Sequence, residues 1–274
     1  MPPAMRLKVR GAYKKSISLS LDLTDWLLGR RDELTPPRRK RFYIGAGDFN
    51  KIGQEFLRYF TGLGELKPNA RVLDVGCGIG RMAVPLISYL DHTGRYEGFD
   101  IVADEINWCQ EEITSRHPNF SFQWVDIYNR MYNPNGKCQA SEFKFPYADE
   151  SFDFIFLTSV FTHMLPAEIE NYFAEIVRVL KKGGRCLITF FILNTESMKL
   201  IEAKLSTEDF SYGFDGFRSS EKNLPEAVIA YEENQIRRLY DKYRLQIAEP
   251  VRYGSWCGRK SFLSYQDIIV SVKN

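Results

Sequence analysis

The chain predicts an α/β fold: a mostly parallel sheet with helices on both of its faces. Three observations carry that expectation. Between residues 71 and 191, short apolar runs of strand length alternate with longer stretches whose apolar residues recur every three or four positions. The first run, 71–75, passes directly into Gly76-Cys-Gly-Ile-Gly80 and then into a helical pattern, a junction at which bare backbone approaches a ligand. The first three runs also carry an acid at or near their carboxyl ends: Asp74, Asp100 and Asp126.

Taken in order, residues 1–48 form a basic arm with no sustained period. One short helix is expected over 21–28, capped by Asp22 or Thr24, and Pro36-Pro37 breaks the chain before Arg38-Arg-Lys-Arg41. Phe49, Ile52, Phe56, Leu57 and Phe60 recur at helical spacing, and Gly62, Gly64 and Pro68 end that helix. Strand 71–75 follows, then a helix over 81–90 with Pro85 in its first turn, strand 96–99, helix 103–116 and strand 120–125. A polar loop over 127–151 leads to the apolar strand 152–157. The next helix begins after Pro166 and runs through Leu180, with Lys181-Lys-Gly-Gly184 as its stop, and strand 185–191 completes five parallel strands.

Beyond these, 194–205 reads as a capped helix and 206–232 as a long irregular insertion of the kind that forms lids. Helix 234–243, a strand near 245–253 and a last strand over 266–273 close the chain, the final two joined as a hairpin. A domain over 49–274 with its insertion, preceded by the arm, accounts for the whole length.

Composition excludes several classes. Hydrophobic residues make up 44% and charged residues 26%, and no run approaches the roughly 18 apolar residues of a membrane span. Five cysteines without a C-x-x-C pair, and no secretory signal, point to a reduced cytoplasm. Three histidines without ligand spacing give no reason to expect a metal. Net charge is only +2, yet residues 1–41 carry +7 and the remainder −5. Such a run is either solvated surface or an arm for an anionic partner.

The glycine spacing discriminates between cofactors. Gly76, Gly78 and Gly80 read G-x-G-x-G, whereas the dinucleotide fingerprint needs its third glycine where this chain has Arg81. With Asp74 two residues ahead and Asp100 at the end of the second strand, the stretch resembles motif I of the class I S-adenosylmethionine (SAM) dependent methyltransferases. The resemblance covers 49–192 and, more weakly, 234–273. It implies a Rossmann-like seven-stranded, mostly parallel sheet of order 3-2-1-4-5-7-6, with SAM as cofactor and S-adenosylhomocysteine as product.

It also implies roles. Asp100 would accept hydrogen bonds from the ribose hydroxyls and Asp126 from the adenine amino group, with Ile101 packed on the ring and Ile127 beside it. Asp74 would lie near the methionine end, through water. Gly76, Cys77, Gly78 and Gly80 would bring backbone against the ligand, the backbone after strand four at Thr158 would take the ammonium, and Arg81 would pair with the carboxylate. Just past that strand, His163 is the candidate base for an acceptor that must lose a proton.

Other methyl-transfer and cofactor classes fit less well. An Asn/Asp-Pro-Pro-aromatic motif, expected of nucleobase amino-methyltransferases, is replaced by Thr158-Ser-Val-Phe161, and no cysteine follows a proline as a pyrimidine carbon-5 enzyme requires. Nucleic acid is therefore not the expected partner. A nicotinamide oxidoreductase shares the ribose-binding acid but not the glycine spacing. The remaining alternatives are a SAM-binding module without catalysis and an enzyme acting on nucleic acid, protein or lipid. The expected function is methyl transfer to oxygen of a small molecule or glycan held between arm and insertion. Phe210, Tyr212, Phe214 and Phe217 would exclude water, and Arg38, Arg39, Lys40 and Arg41 would hold an anionic group or, alternatively, a membrane surface.

Overall fold

The computed structural model describes residues 22, 24, 33–41 and 47–274. Of the helix expected over 21–28, Asp22 and Thr24 are helical and the rest lies outside the described residues. The Asp22 carboxylate accepts from the backbone N–H groups of Arg38, at 2.6 Å, and Arg39. That fixes the single turn Arg38–Lys40 of the basic run.

Helix α1 spans Phe49–Gly62, started by the Asp48 side chain, which accepts from the Lys51 N–H at 2.8 Å. Its buried face is Phe49, Gly53, Phe56, Tyr59 and Phe60; of the predicted stripe Phe49, Phe56 and Phe60 are buried, while Ile52 and Leu57 are half-buried at its edge. A Cβ at Gly53 would come within 2.7 Å of the Arg81 carbonyl oxygen, so this glycine lets α1 settle directly on the turn that follows the glycine loop.

Strand β1 (Arg71–Val75) is followed by α2 (Ala83–Ile87), β2 (Arg95–Asp100), α3 (Ala103–Cys109) and β3 (Phe120–Trp124). Two of these helices differ from expectation. The helix after the glycines is five residues rather than ten, closed when the Ser88 hydroxyl donates to the Pro85 carbonyl. The longer helical stretch changes to a π-turn over Gln110–Thr114, where Gln110 Nε2 donates to the Phe122 carbonyl of the neighbouring strand.

Strand β4 (Phe152–Leu157) matches its predicted bounds, and α4 (Pro166–Val179) begins at its proline. The basic stop does not behave as expected. Strand β5 (Leu180–Phe190) starts immediately, and Lys181-Lys-Gly-Gly184 is a bulge within it, because Phe152 pairs with Leu180 while Phe154 pairs with Arg185.

The insertion is not irregular. Strands β6 (Ile192–Leu193), β7 (Tyr212–Gly213), β8 (Phe217–Ser219) and β9 (Ile229–Glu232) form a second sheet of order β6-β9-β8-β7. Helix α5 (Thr195–Glu202), capped by Asn194, lies between its first two strands. Helix α6 (Glu233–Lys242), β10 (Leu245–Ile247) and β11 (Asp267–Lys273) complete the chain. The last pair is antiparallel as predicted, but β10 stops before Pro250, which has no N–H to give a ladder, and the connection runs over 248–266 rather than a short turn.

The main sheet runs β10-β11-β5-β4-β1-β2-β3. Counting only its seven strands along the chain, this is the order 3-2-1-4-5-7-6. Residues alternate between its two faces. Leu73, Val75, Ile155 and Leu157 join α4 and α6 in one core, and Val72, Phe154 and Phe156 join α1, α2 and α3 in the other. Strand order reverses between β1 and β4, so the loops leaving their carboxyl ends face a common crevice.

Candidate cofactor site

The loop after β1 owes its shape to three glycines at positive φ, +77° at Gly76, +51° at Gly78 and +78° at Gly80. Space forbids side chains there as well: a Cβ at Gly76 would meet Val160 Cγ2 at 2.5 Å, and one at Gly80 would meet Ile113 Cδ1 at 2.9 Å. The loop is tied to the end of β2, since the N–H groups of Gly76 and Cys77 both donate to the Phe99 carbonyl. Asp100 completes the junction. Its two carboxylate oxygens accept from Gly78 N–H at 2.8 Å and Val102 N–H at 2.9 Å. Burial pushes its pKa up against the pull of those donors.

The predicted residues occupy two levels. Gly76, Gly78, Asp100, Ile101, Asp126 and Thr158 are partly exposed along the rim. Asp126 sits within reach of Asn133 Nδ2 at 3.4 Å and Lys137 Nζ at 3.9 Å. By contrast, the side chains of Cys77 and Ile127 are buried in the two cores, so any contact they make with a ligand is through backbone. Asp74 is also fully buried, on the face of β1 turned toward α1–α3, where it accepts from Tyr96 Oη at 2.7 Å. Burial drives its pKa to about 8, and its Oδ1 has no partner.

Sequence reasoning missed Glu105. It is 4% exposed, on the first turn of α3, with Oε2 3.2 Å from where a Gly78 Cβ would stand. Burial, with Asp100 nearby, pushes its pKa to about 8, and its Oε1 has no partner. Glu105, Cys109 and Ile113 recur every four residues on the buried face of that helical stretch, and an acid on an apolar stripe was the signal available. Arg81 is half-buried beside it, with Nε and Nη1 unpartnered and its pKa lowered by burial. Trp124, 44% exposed at the end of β3, was missed too; its Nε1 donates to the Ile101 carbonyl.

Buried polar atoms without partners are rare because each costs about 1–3 kcal/mol. Here an acid oxygen of Asp74, one of Glu105 and two guanidinium nitrogens of Arg81 gather around one glycine loop. The set suits a ligand that carries cationic groups, a carboxylate and hydroxyls together, which is the chemistry of SAM. Two cavities of about 470 Å³ lie elsewhere. One is bounded by Glu33, Leu34, Asn50, Gln54, Val84 and Pro85, and the other lies at the opposite end of the sheet between residues 64–70 and 181–185.

His163 closes the short turn Phe161–His163 after β4. Its Nδ1 lies 3.3 Å from the Glu226 carbonyl of the insertion, and its ring meets Tyr132 edge-on. Burial lowers its pKa, which keeps the ring neutral. The insertion aromatics divide. Phe210 and Phe217 are buried, the first against Phe191 and Trp256, whereas Tyr212 and Phe214 are exposed. The four therefore do not form one apolar lining.

Comparison with known proteins agrees with this geometry. Residues 73–188 match the family described as methyltransferase domain. The ubiquinone/menaquinone biosynthesis C-methyltransferase UbiE of Xanthomonas axonopodis pv. citri (strain 306) is 31% identical over 153 residues, 55% of this chain and 54% of that protein. Phosphoethanolamine N-methyltransferase of Triticum aestivum is 27% identical over 148 residues, 53% of this chain and 25% of that one. The chain thus spans about half the length of the first of these relatives and less of the second. Among solved structures, the PH0226 protein of Pyrococcus horikoshii OT3 shares the fold at a TM-score of 0.58 and 19% identity, covering 85% of this chain and 94% of its own.

Proposed function

Because residues 73–188 match the methyltransferase-domain family and the glycine loop resembles that of the class I SAM-dependent enzymes, we propose that this chain transfers the methyl group of SAM to a small-molecule or glycan acceptor. The observation that carries this reading is the glycine loop locked to Asp100, with unpartnered Asp74, Glu105 and Arg81 atoms around it. Asp100 and Asp126 would hold the ribose and adenine, and Arg81 the carboxylate. SAM supplies an already activated methyl group. This chain's residues then have to orient the acceptor and exclude water.

Oxygen as the methylated atom rests on His163. In the neutral tautomer whose Nδ1–H donates to the Glu226 carbonyl, Nε2 is the ring atom that would accept a proton from a hydroxyl. The two relatives named above are a C- and an N-methyltransferase, so carbon and nitrogen acceptors stand as the second reading. The partly exposed basic run 38–41 favours an acceptor with an anionic group.

Labelled SAM incubated with the protein and fractionated cell extract tests both parts. Label in a small product supports the proposal, and calorimetry showing no SAM binding rejects it. If His163 is the base, His163→Ala lowers turnover by about 100-fold or more with SAM affinity nearly intact. Loss of folding stability in step with activity would assign it to packing against the insertion.

A further inference from the structure

We propose that Glu105 is a specificity-determining carboxylate of the cofactor cradle, through which the site distinguishes the sulfonium of SAM from the uncharged thioether of its product. The proposal rests on the cofactor reading above and adds to it a residue and a selectivity.

The geometry is unusual for a glutamate with a purely structural task. Glu105 is almost fully buried, yet only Oε2 is placed against the chain, beside Gly78, and Oε1 is unpartnered. Arg81 is near enough to act on it electrostatically, but the two form no ion pair, and Arg81 keeps Nε and Nη1 unpartnered as well. Two opposite charges buried side by side ordinarily satisfy each other, because leaving either alone is costly. Here both keep buried, unpartnered atoms beside the glycine loop.

The groups facing Glu105 set its behaviour. Asp100 at the end of β2 and Asp104 on its own helix repel its charge, and Arg81 favours it. Cys77 in the loop and Cys109 one turn on also feel its charge, and Asp74 lies behind them. Among these groups Arg81 is the one cation facing Glu105. In the free protein Glu105 keeps its proton until about pH 8. A cation bound in the cradle favours the ionised form, so the ligand releases that proton and is held more tightly as pH rises.

SAM carries sulfonium, ammonium and carboxylate, and its product carries only the last two. During transfer the methyl carbon bonds to an electron pair of the acceptor, which gives up its proton, and the carbon–sulfur pair stays on sulfur. The site thereby loses one positive charge at each turnover. Glu105 then takes a proton back, and the product is released from a cradle that no longer attracts it.

Calorimetry of the full chain with SAM and with S-adenosylhomocysteine, at pH 6.5, 7.5 and 8.5 in buffers of different ionisation heat, tests this. Both ligands carry the same ammonium and carboxylate, so their ratio isolates the sulfonium. In the wild type the preference for SAM is expected to rise roughly tenfold across the range, with protons released on binding SAM but not its product. Glu105→Gln should flatten the rise while still binding the product. A slope as steep in Glu105→Gln as in wild type overturns the proposal. So does wild-type binding of SAM without proton release, whatever the variant does. A wild type that binds neither ligand overturns the cofactor reading itself and this inference with it.

Discussion

Asp267 and the pair Asp74 and Glu105 are equally buried acids with different surroundings. Around Asp267 the chain supplies four donors: the N–H groups of Ile192 and Gly254 at 2.6 Å, Trp256 Nε1 at 2.7 Å and Arg259 Nη1 at 3.3 Å. Burial raises its pKa only to about 6, because those donors favour the charge. Under the glycine loop the two acids share a single side-chain donor among the described residues, Tyr96 on Asp74, and burial carries both to about 8. One cluster is complete within the chain and staples β6 and the loop 254–259 to the first residue of β11. The other leaves one oxygen of each acid without a partner.

The comparison breaks most directly at Asp267. Asp267→Ala leaves the Arg259 guanidinium, 3% exposed, without its buried partner, and orphans the Trp256 N–H and two backbone N–H groups. Expected loss is about 3–5 kcal/mol, read from urea unfolding. A loss within the range of ordinary surface changes would show that the cluster is not the staple described.

Asp100→Ala separates ligand from fold. Removing a charged acceptor from the ribose should weaken SAM by about 1.5–3 kcal/mol, measured by calorimetry. Stability should fall by less than in Asp267→Ala, since only the Gly78 and Val102 N–H groups lose a partner and both belong to rim loops. Equal destabilisation by the two substitutions would erase the distinction between a structural and a receptive acid.

The same contrast explains what was legible in the sequence. Strands β1 and β4 were readable to the residue, because a parallel strand covered on both faces is a continuous apolar run bounded by polar residues. Glycine spacing and strand-end acids placed Asp100 and Asp126 on the rim. Period alone failed where long-range bonding decides. Lys181-Lys-Gly-Gly184 resembles a helix stop but is a bulge fixed by pairing with β4. Residues 206–232 lack alternation because β7 and β8 are too short to show it, and Phe210 and Phe217 fill the interior of a sheet that exists only by pairing with β6 and β9. Asp74 was placed near the ligand, but its burial among Tyr96 and the α1–α3 core follows from which face of β1 it occupies. Glu105 was passed over because its one signal, a charged position on an apolar stripe, belongs to no motif.

The smallest expected effect is a slope against pH. Asp74 has an ordinary pKa of 3.8 and reaches about 8 when folded. A raised folded pKa means that the native state keeps a proton the unfolded chain gives up. Its stabilising contribution is therefore complete below about pH 4 and is lost as pH rises through about 8. Glu105, raised from 4.5 to about 8, acts in the same direction. Asp74→Asn imitates the protonated acid, with an amide in place of the hydroxyl. It should flatten the decline and leave the variant more stable than wild type at pH 8.5, by about 1.4 kcal/mol for each unit of pKa shift realised in solution. The donors around Asp267 limit its rise, so Asp267→Asn should bring no such benefit. Urea midpoints at pH 5, 7 and 8.5 decide the matter. A wild type equally stable at all three would mean that Asp74 ionises within the fold at little cost, which its unpartnered Oδ1 and apolar surroundings argue against.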